Sequence, residues 1–510
     1  MRVDSPFTRP SGFTLQADPK IFLFALAAAL VVALALTRVV RDLATRMGVL
    51  DPCNGRSLHT EPLPRLGGVA LITAFALGLT ATFWIFPEWV SQFRRPHLVL
   101  LVGALAIHLL GLLDDLKPMR ARYKLAGQLV IAVGVYWAGL RIGSVLLPGG
   151  SLLALPDWLA LGCTVVWLVG ITNAVNLIDG LDGLAAGSSL IALAALFVVS
   201  LIFDQPAAAL TCCVLAGATT GFLRFNFQPA TIFLGDSGSL FLGFMLAGLG
   251  ILGSEKVTGA AALLVPLLAL GLPVIDTAVA IFRRHLRRHP IFLADRGHIH
   301  HRLLALGQSP RRVALILYGT SAILGSAAVI LAAYGVHVLF PLFIGFSALA
   351  VFLQWLRFDE FEELGLLVRR GIRSRHVIGR NVRLREASTR VSELKDMREI
   401  FEVLEGTFSQ DGLKRAEIRL QRSFLNGKVA LPAVPASGDD EMPIWAWAAA
   451  NDVEPSWWCV ALPLLGPDDR RMGSLVLWED GHGNGQSISY IQVISEHLRE
   501  ELQRKLHSFE

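Results

Sequence analysis

The chain has 510 residues, 53% of them hydrophobic and 17% charged, and its mean hydropathy is +0.54. That balance excludes an ordinary soluble enzyme and points to a polytopic membrane protein with a soluble appendage. The net charge of +5 does not indicate a nucleic-acid partner, because the basic residues gather in short loops between apolar runs, where they orient membrane segments. Five cysteines (Cys53, Cys163, Cys212, Cys213 and Cys459) show no C-x-x-C spacing, which implies neither a zinc site nor a disulfide framework.

Residues 1–19 form an N-terminal tail. The apolar run that follows, at 21–36, lacks a small-x-small cleavage site and reads as a retained span rather than a signal peptide. A bilayer core of about 30 Å takes roughly 20 apolar residues as helix. By that measure spans fall near 20–42, 66–86, 97–113, 124–142, 156–172, 184–203, 207–223, 238–253, 258–281, 312–333 and 337–356, about 11 transmembrane helices within a membrane domain at 20–356. Loops 43–65, 114–124, 224–237 and 282–311 hold most of the loop Lys and Arg, whereas 143–155, 204–206 and 334–336 have none. The positive-inside bias places the first set and the C-terminal end in the cytoplasm, with Arg94, Arg95, Arg141 and Lys256 as exceptions.

Texture changes near residue 357. A basic linker (357–394) suits anionic headgroups. Beyond it, 395–510 reads as a cytoplasmic α/β accessory domain, with helical spacing at Lys395–Phe408 and Ile488–Leu506. Strands are expected at Trp457–Leu465 and Gly473–Trp478 around a turn at Gly466-Pro467-Asp468-Asp469. This order loosely resembles a GAF-type sensory domain, and no catalytic constellation is visible in it.

Five polar clusters fall at span ends, all on the face assigned to the cytoplasm. The first is the basic loop Arg56, His59, Pro62, Pro64, Arg65, Gly67 and Gly68. Next come Asp114-Asp115, adjacent carboxylates closing an apolar run, with Lys124 and Gln128 beyond; such a pair is costly unless water, a metal or a cation attends it. The run from Asn173 to Gly187 carries Asn173, Asn176, Asp179 and Asp182 with Gly180 and Gly183, oxygen ligands that suit Mg²⁺ rather than a soft metal. In Leu234-Gly235-Asp236-Ser237-Gly238-Ser239 a carboxylate lies between glycines at the start of a span, where backbone can approach a phosphate or metal. Last is Asp295-Arg296-Gly297-His298-Ile299-His300-His301-Arg302, whose histidines lack H-x-x-x-H spacing and read as donors to phosphate oxygens, with a nickel or zinc site as the alternative. Taken singly, each cluster could be a turn, a cap or a topogenic loop. Together they supply what phosphoryl transfer needs: a divalent cation, neutralising cations and positioning, with no nucleophilic Ser or Cys beside a base.

In order, these motifs resemble the polyprenyl-phosphate N-acetylhexosamine-1-phosphate transferases, of the bacterial undecaprenyl-phosphate GlcNAc-1-phosphate transferase-like branch of glycosyltransferase family 4. The likeness rests on Pro64-Arg65-x-Gly67-Gly68, Asp114-Asp115 with Lys124 and Gln128, N-x-x-N-x-x-D-G-L-D-G-L, L-G-D-S-G-S, Pro273-Val274-Ile275-Asp276-Thr277 and D-R-G-H-I-H-H-R-L. It implies transfer of HexNAc-1-phosphate, with GlcNAc-1-phosphate expected, from a UDP-N-acetylhexosamine to undecaprenyl phosphate, with UMP released. The setting implied is the start of cell-surface glycan synthesis at a bacterial inner membrane, with no nucleic acid involved and a homodimer left open. The resemblance places Mg²⁺, with Mn²⁺ as a substitute, on Asn176 and Asp236. Catalytic work goes to Asp114, Asp115, His300 and His301, and substrate binding to Arg65, Lys124, Asn173, Asp179, Asp182, Arg296, His298 and Arg302. A covalent aspartyl-phosphate route through the Asp114-Asp115 pair can be written beside direct displacement. A transporter and a membrane sensor with a soluble output domain are the competing classes.

Overall fold

Several helices in this chain begin at a proline, which brings no N–H to leave unpaired in the first turn. Helix α1 (Pro19–Met47) has proline at its first position and Asp18 accepting from the Lys20 N–H at 3.0 Å, and Gly48, left-handed at φ 70°, ends it. The computed structural model describes residues 18–51, 62–146, 152–254, 261–287, 298–334, 375–410, 413–421, 441–448, 457–465, 470–480, 494 and 498–508. The chain divides into two units, Met1–Ala280 with Asp295–Phe352, and Ile281–Ala294 with Leu353–Glu510.

In the first unit α1 is followed by α2 (Gly67–Ile85), α3 (Arg95–Leu116), α4 (Ala121–Ala138), α5 (Asp157–Ile178), α6 (Leu184–Ile202), α7 (Pro206–Asn226), α8 (Gly235–Ser254), α9 (Ala261–Ala269), α10 (Gly271–Arg287, of which residues 271–280 belong to this unit), α11 (Ile299–Ala305) and α12 (Pro310–Tyr334). Two short hairpins punctuate it, β1 (Leu50–Asp51) with β2 (Leu63–Pro64) and β3 (Ser144–Leu146) with β4 (Leu152–Ala154). Among the described residues eight helices are long and apolar enough to cross a membrane: α1, α2, α3, α5, α6, α7, α8 and α12. Helix α4 coincides with an expected span, but Arg122 and Lys124 in its first turn make it more polar. The run expected to span 258–281 is two helices, interrupted between Ala269 and Gly271 downstream of Pro266, because proline and glycine weaken a continuous helix. The expected span at 337–356 and the basic loop residues Arg56 and His59 lie outside the described residues.

Helix α8 is the most enclosed of the eight, packed between α3 and α5. Small residues allow this closeness, as is usual where lipid offers no hydrophobic drive for helices to associate. Gly111 of α3 lies on the backbone of Asp236 and Ser237, and Gly243 of α8 on Thr172 of α5. The start of α8 is clasped by the strand-like stretch before α2. Gly67 N–H donates to Phe233 O (3.0 Å), Gly68 N–H to Leu234 O (2.8 Å) and Phe233 N–H to Pro64 O (2.8 Å). A methyl on Gly68 would fall on the Gly238 backbone and Ser237 Oγ. Gly68→Ala should therefore destabilise the protein by about 1–3 kcal/mol through overpacking, read as a lower thermal midpoint in detergent. Gly134→Ala, with open space around it, should leave the midpoint unchanged or raise it.

The second unit contains α13 (Arg375–Glu393), α14 (Met397–Gln410), α15 (Arg499–Ser508) and a sheet of β5 (Arg415–Gln421), β6 (Glu441–Ala448), β7 (Trp457–Leu465) and β8 (Arg471–Asp480). All neighbours are antiparallel in the order β6-β5-β8-β7, and each rim strand carries a proline, Pro443 or Pro463. Ile418 and Leu475 from one face join Leu384, Ile400, Leu404, Phe408 and Leu502 in the core. On alternate positions of β5 the buried Glu417 accepts from Arg415 Nε (2.7 Å) and Arg419 Nε (2.8 Å), and both guanidinium groups lie over Trp478. The strand expected at 457–465 and the helix expected at 395–408 are present as β7 and α14, and β8 extends the expected strand at both ends. The turn at 466–469 and residues 488–493 and 495–497 of the last expected helix lie outside the described residues.

Candidate active site

The last turn of α3 delivers two carboxylates to different neighbours. The side chain of Asp115 is fully enclosed. Its oxygens accept from the N–H groups of Asp236 and Ser237, each at 2.9 Å, in the first turn of α8. These N–H groups have no partner within their own helix and carry the positive end of its dipole, so a buried carboxylate is well placed there. Arg65 reaches the same carboxylate at 3.4 Å and Asp51 at 3.5 Å. A residue expected in substrate binding and one expected in catalysis are thus joined to each other.

Asp114 faces the other way. It accepts from the Met119 N–H at 2.5 Å, closing the turn into α4, and from Lys124 Nζ at 3.0 Å. The same ammonium pairs with Asp236, whose second oxygen accepts from Asn176 Nδ2 at 2.7 Å. Asn176 also donates to Ser239 Oγ at 2.8 Å. One polar chain, Asp114, Lys124, Asp236 and Asn176, therefore links α3, α4, α8 and α5 at their ends. One turn earlier on α5, Asn173 donates to Gln128 Oε1 at 2.6 Å.

Beyond α5 the loop from Asp179 to Gly183 turns over this chain. Burial, and then the nearby carboxylates of Asp236, Asp115 and Asp182, push the Asp179 carboxyl well above the usual carboxylate range. Asp182 is buried and accepts from the Ala230 N–H at 2.9 Å, which orders the loop against the segment leading to Asp236. Gly183 is left-handed at φ 73°, a conformation glycine adopts without strain, and it opens α6.

The histidines arrive at the start of α11, which Asp276 of α10 holds. Asp276 accepts from His298 Nδ1–H at 3.0 Å and from the Ile299 N–H at 2.7 Å, holding the start of α11. His298, expected to donate to phosphate, thus has one ring nitrogen on a carboxylate. His300 is 2% exposed, its ring 5.8 Å from that of His298 and 4.3 Å from that of His301. Its Nε2 has no hydrogen-bond partner and lies 2.9 Å from where a β-carbon on Gly180 would be. His301 and Arg302 are half-buried in the first turn of α11, and Arg296 lies outside the described residues. The structure thus gathers Asp114, Asp115, Lys124, Asn173, Asn176, Asp179, Asp182 and Asp236 around the head of α8, and sets His300 against Gly180 of the same loop.

Burial pushes the His300 imidazole down to about 3, with His301 and His298 adding to the effect against Asp276. It is neutral at pH 7. The unfolded chain takes up a proton near the ordinary value of about 6.5, so the stability this neutrality contributes is complete above that value and is lost as pH falls toward 3. On going from pH 7 to pH 5 the wild type should lose about 1–2 kcal/mol more stability than His300→Gln, visible as a steeper fall in thermal midpoint. Equal slopes for the two proteins would contradict a buried neutral imidazole.

Among the described residues no group of three His, Cys, Asp or Glu is spaced to hold a metal ion by itself. The donors around Lys124 are carboxylate and amide oxygens, a set that fits a hard divalent cation completed by substrate oxygens or water. An ammonium group already lies between the Asp114 and Asp236 carboxylates, so the locus accommodates positive charge. Asp276 stood in the sequence as part of the Pro273–Thr277 motif that carries the resemblance, with no role assigned to it. Ser239 was likewise visible only as part of the motif around Asp236.

A sequence model for glycosyl transferase family 4 matches residues 97–254, which include Asp114, Asp115, Lys124, Asn176, Asp179, Asp182 and Asp236. The chain is 38% identical over 302 residues to a probable undecaprenyl-phosphate N-acetylglucosaminyl 1-phosphate transferase of Bacillus subtilis, a match that takes in 59% of this chain and 82% of that protein. It is 36% identical over 347 residues to a decaprenyl-phosphate N-acetylglucosaminephosphotransferase of Mycobacterium tuberculosis, covering 61% and 81%. A phospho-N-acetylmuramoyl-pentapeptide-transferase of Desulforudis audaxviator is 31% identical over 334 residues, covering 59% and 95%.

Proposed function

Because the chain belongs to glycosyl transferase family 4, among the polyprenyl-phosphate N-acetylhexosamine-1-phosphate transferases, we propose that it transfers GlcNAc-1-phosphate from UDP-GlcNAc to undecaprenyl phosphate and releases UMP. The observation that carries this reading is the polar chain Asp114, Lys124, Asp236 and Asn176 at the head of α8, beside the Asp179–Gly183 loop and His300. Every helix that contributes to the chain does so from one of its ends. A transporter would place such groups near the bilayer midplane, whereas an interfacial enzyme must meet a water-soluble donor and a lipid acceptor together.

In the reaction we envisage, an oxygen of the lipid phosphate attacks the β-phosphorus of the sugar nucleotide, and the bond from that phosphorus to the bridging oxygen breaks, leaving UMP. The lipid phosphate is already an anionic nucleophile, so the protein's work is to position it and to neutralise charge. Asp236 and Asn176 would hold Mg²⁺, which supplies charge compensation on the donor diphosphate. Lys124, released in part from its two carboxylates, would meet the phosphate oxygens, with His300, His301, Arg302 and Arg296 on the side of α11. Asp114 would orient the lipid phosphate. Its engagement with Met119 N–H and Lys124 favours direct displacement over an aspartyl-phosphate intermediate. With both oxygens on backbone amides, Asp115 is a positioning residue in this scheme, and Arg65 supports it. The Asp179 loop would receive the nucleotide.

We place the site on the cytoplasmic face of a bacterial inner membrane, from the charge bias of the loops. Membranes containing the protein, given undecaprenyl phosphate and a panel of UDP-sugars, should form a lipid diphospho-GlcNAc identified by mass, with stoichiometric UMP. Failure of every sugar in the panel to give a lipid product would refute the reading. Truncation near residue 357 should leave transferase activity in place, making the C-terminal domain accessory; complete loss would make it part of the catalytic unit.

A further inference from the structure

Helix α12 lies outside the stretch matched by the family model, yet one of its side chains grips the loop that carries Asp179. Tyr318 Oη donates to the carbonyl oxygen of Gly183 at 2.6 Å. That carbonyl also accepts the Gly187 N–H at 2.8 Å, the first hydrogen bond of α6. The phenol occupies the space a side chain at position 187 would need, since a β-carbon on Gly187 would overlap its Cζ and Oη. A β-carbon on Gly183 would also come within 3.2 Å of the hydroxyl. The loop is therefore pinned twice at its C-terminal end. Tyr318 holds the Gly183 carbonyl, and Asp182 holds the Ala230 N–H.

We infer that Tyr318 is a positioning residue for the sugar-nucleotide subsite, acting through Gly183 on the conformation of the Asp179–Gly183 loop. The inference rests on the reading of that loop as the nucleotide's seat. Its expected signature is selective: the hydroxyl should matter for the donor and not for the lipid, because the Asp114 end of the polar chain is built from α3 and α4 without any contact to α12 among the hydrogen bonds described.

Tyr318→Phe keeps the ring on Gly187 and removes only the O–H. The KM for UDP-GlcNAc should rise about three- to tenfold, the loss of one hydrogen bond to the loop. The KM for undecaprenyl phosphate should stay as in the wild type, and the thermal midpoint should fall by no more than the loss of one hydrogen bond allows. Gly187→Ala, which displaces the phenol by a methyl group, should reproduce the donor effect, and the double variant should add little to either single one. An unchanged donor KM or an equal rise for both substrates would each overturn the inference. Wild-type protein that turns over no UDP-sugar at all would instead remove the function on which it rests.

Discussion

Asp236→Asn should yield a protein that inserts and folds but releases UMP at least about 10²–10³-fold more slowly, the scale of removing one preorganised electrostatic contact from an active site. The substitution keeps the volume and one acceptor oxygen, so the clasp around the head of α8 survives. What disappears is the charge that Lys124 and Asn176 converge on. Lys124 is left with Asp114 as its carboxylate within the polar chain. A divalent cation brought to the donor diphosphate would lose its anionic protein ligand at this position. UMP release measured against Mg²⁺ concentration decides the point, since near-normal turnover at saturating Mg²⁺ would take Asp236 out of the metal site.

The second large effect separates two neighbours in sequence. Asp115→Ala removes the acceptor for two buried amides at the start of α8 and strips Arg65 of a partner. It should cost about 2–6 kcal/mol of stability, since each of the two N–H groups left without an acceptor costs about 1–3. Asp114→Asn leaves that cap intact and should lower turnover with little change in thermal midpoint. Midpoint and turnover measured side by side test the assignment. An Asp115→Ala protein of native stability but poor turnover would give Asp115 the chemical role instead.

Why sequence reasoning could not divide these roles is a matter of geometry. Asp114 and Asp115 are adjacent, and consecutive helix residues point about 100° apart. One meets α4 and the other α8, a distinction set by packing partners far away in the chain. The polar clusters themselves were legible because carboxylates and amides are costly within apolar runs, so their presence at five span ends carried information. The Asp276 to His298 contact was not legible, because periodicity describes one element at a time and this pair joins α10 to α11. Tyr318 gave no more signal than an aromatic on an apolar helix; only the close approach at Gly187 marks it. In the C-terminal unit β7 was evident from its apolar, β-branched and aromatic run, whereas the equally regular alternation of polar and apolar residues in Arg415–Gln421 is a strand signal that the sequence reading passed over. The proline in β6 obscured that strand.

Anchoring to a membrane raises the local concentration of any attached sheet, and a sheet with bare rims invites strands of neighbouring molecules to add on. Pro443 and Pro463 take one backbone donor from each of the outermost described strands, β6 and β7. A lateral ladder begun there would be interrupted on both sides. Crowding in the plane of the bilayer should therefore leave these domains individually dispersed rather than stitched into fibrils.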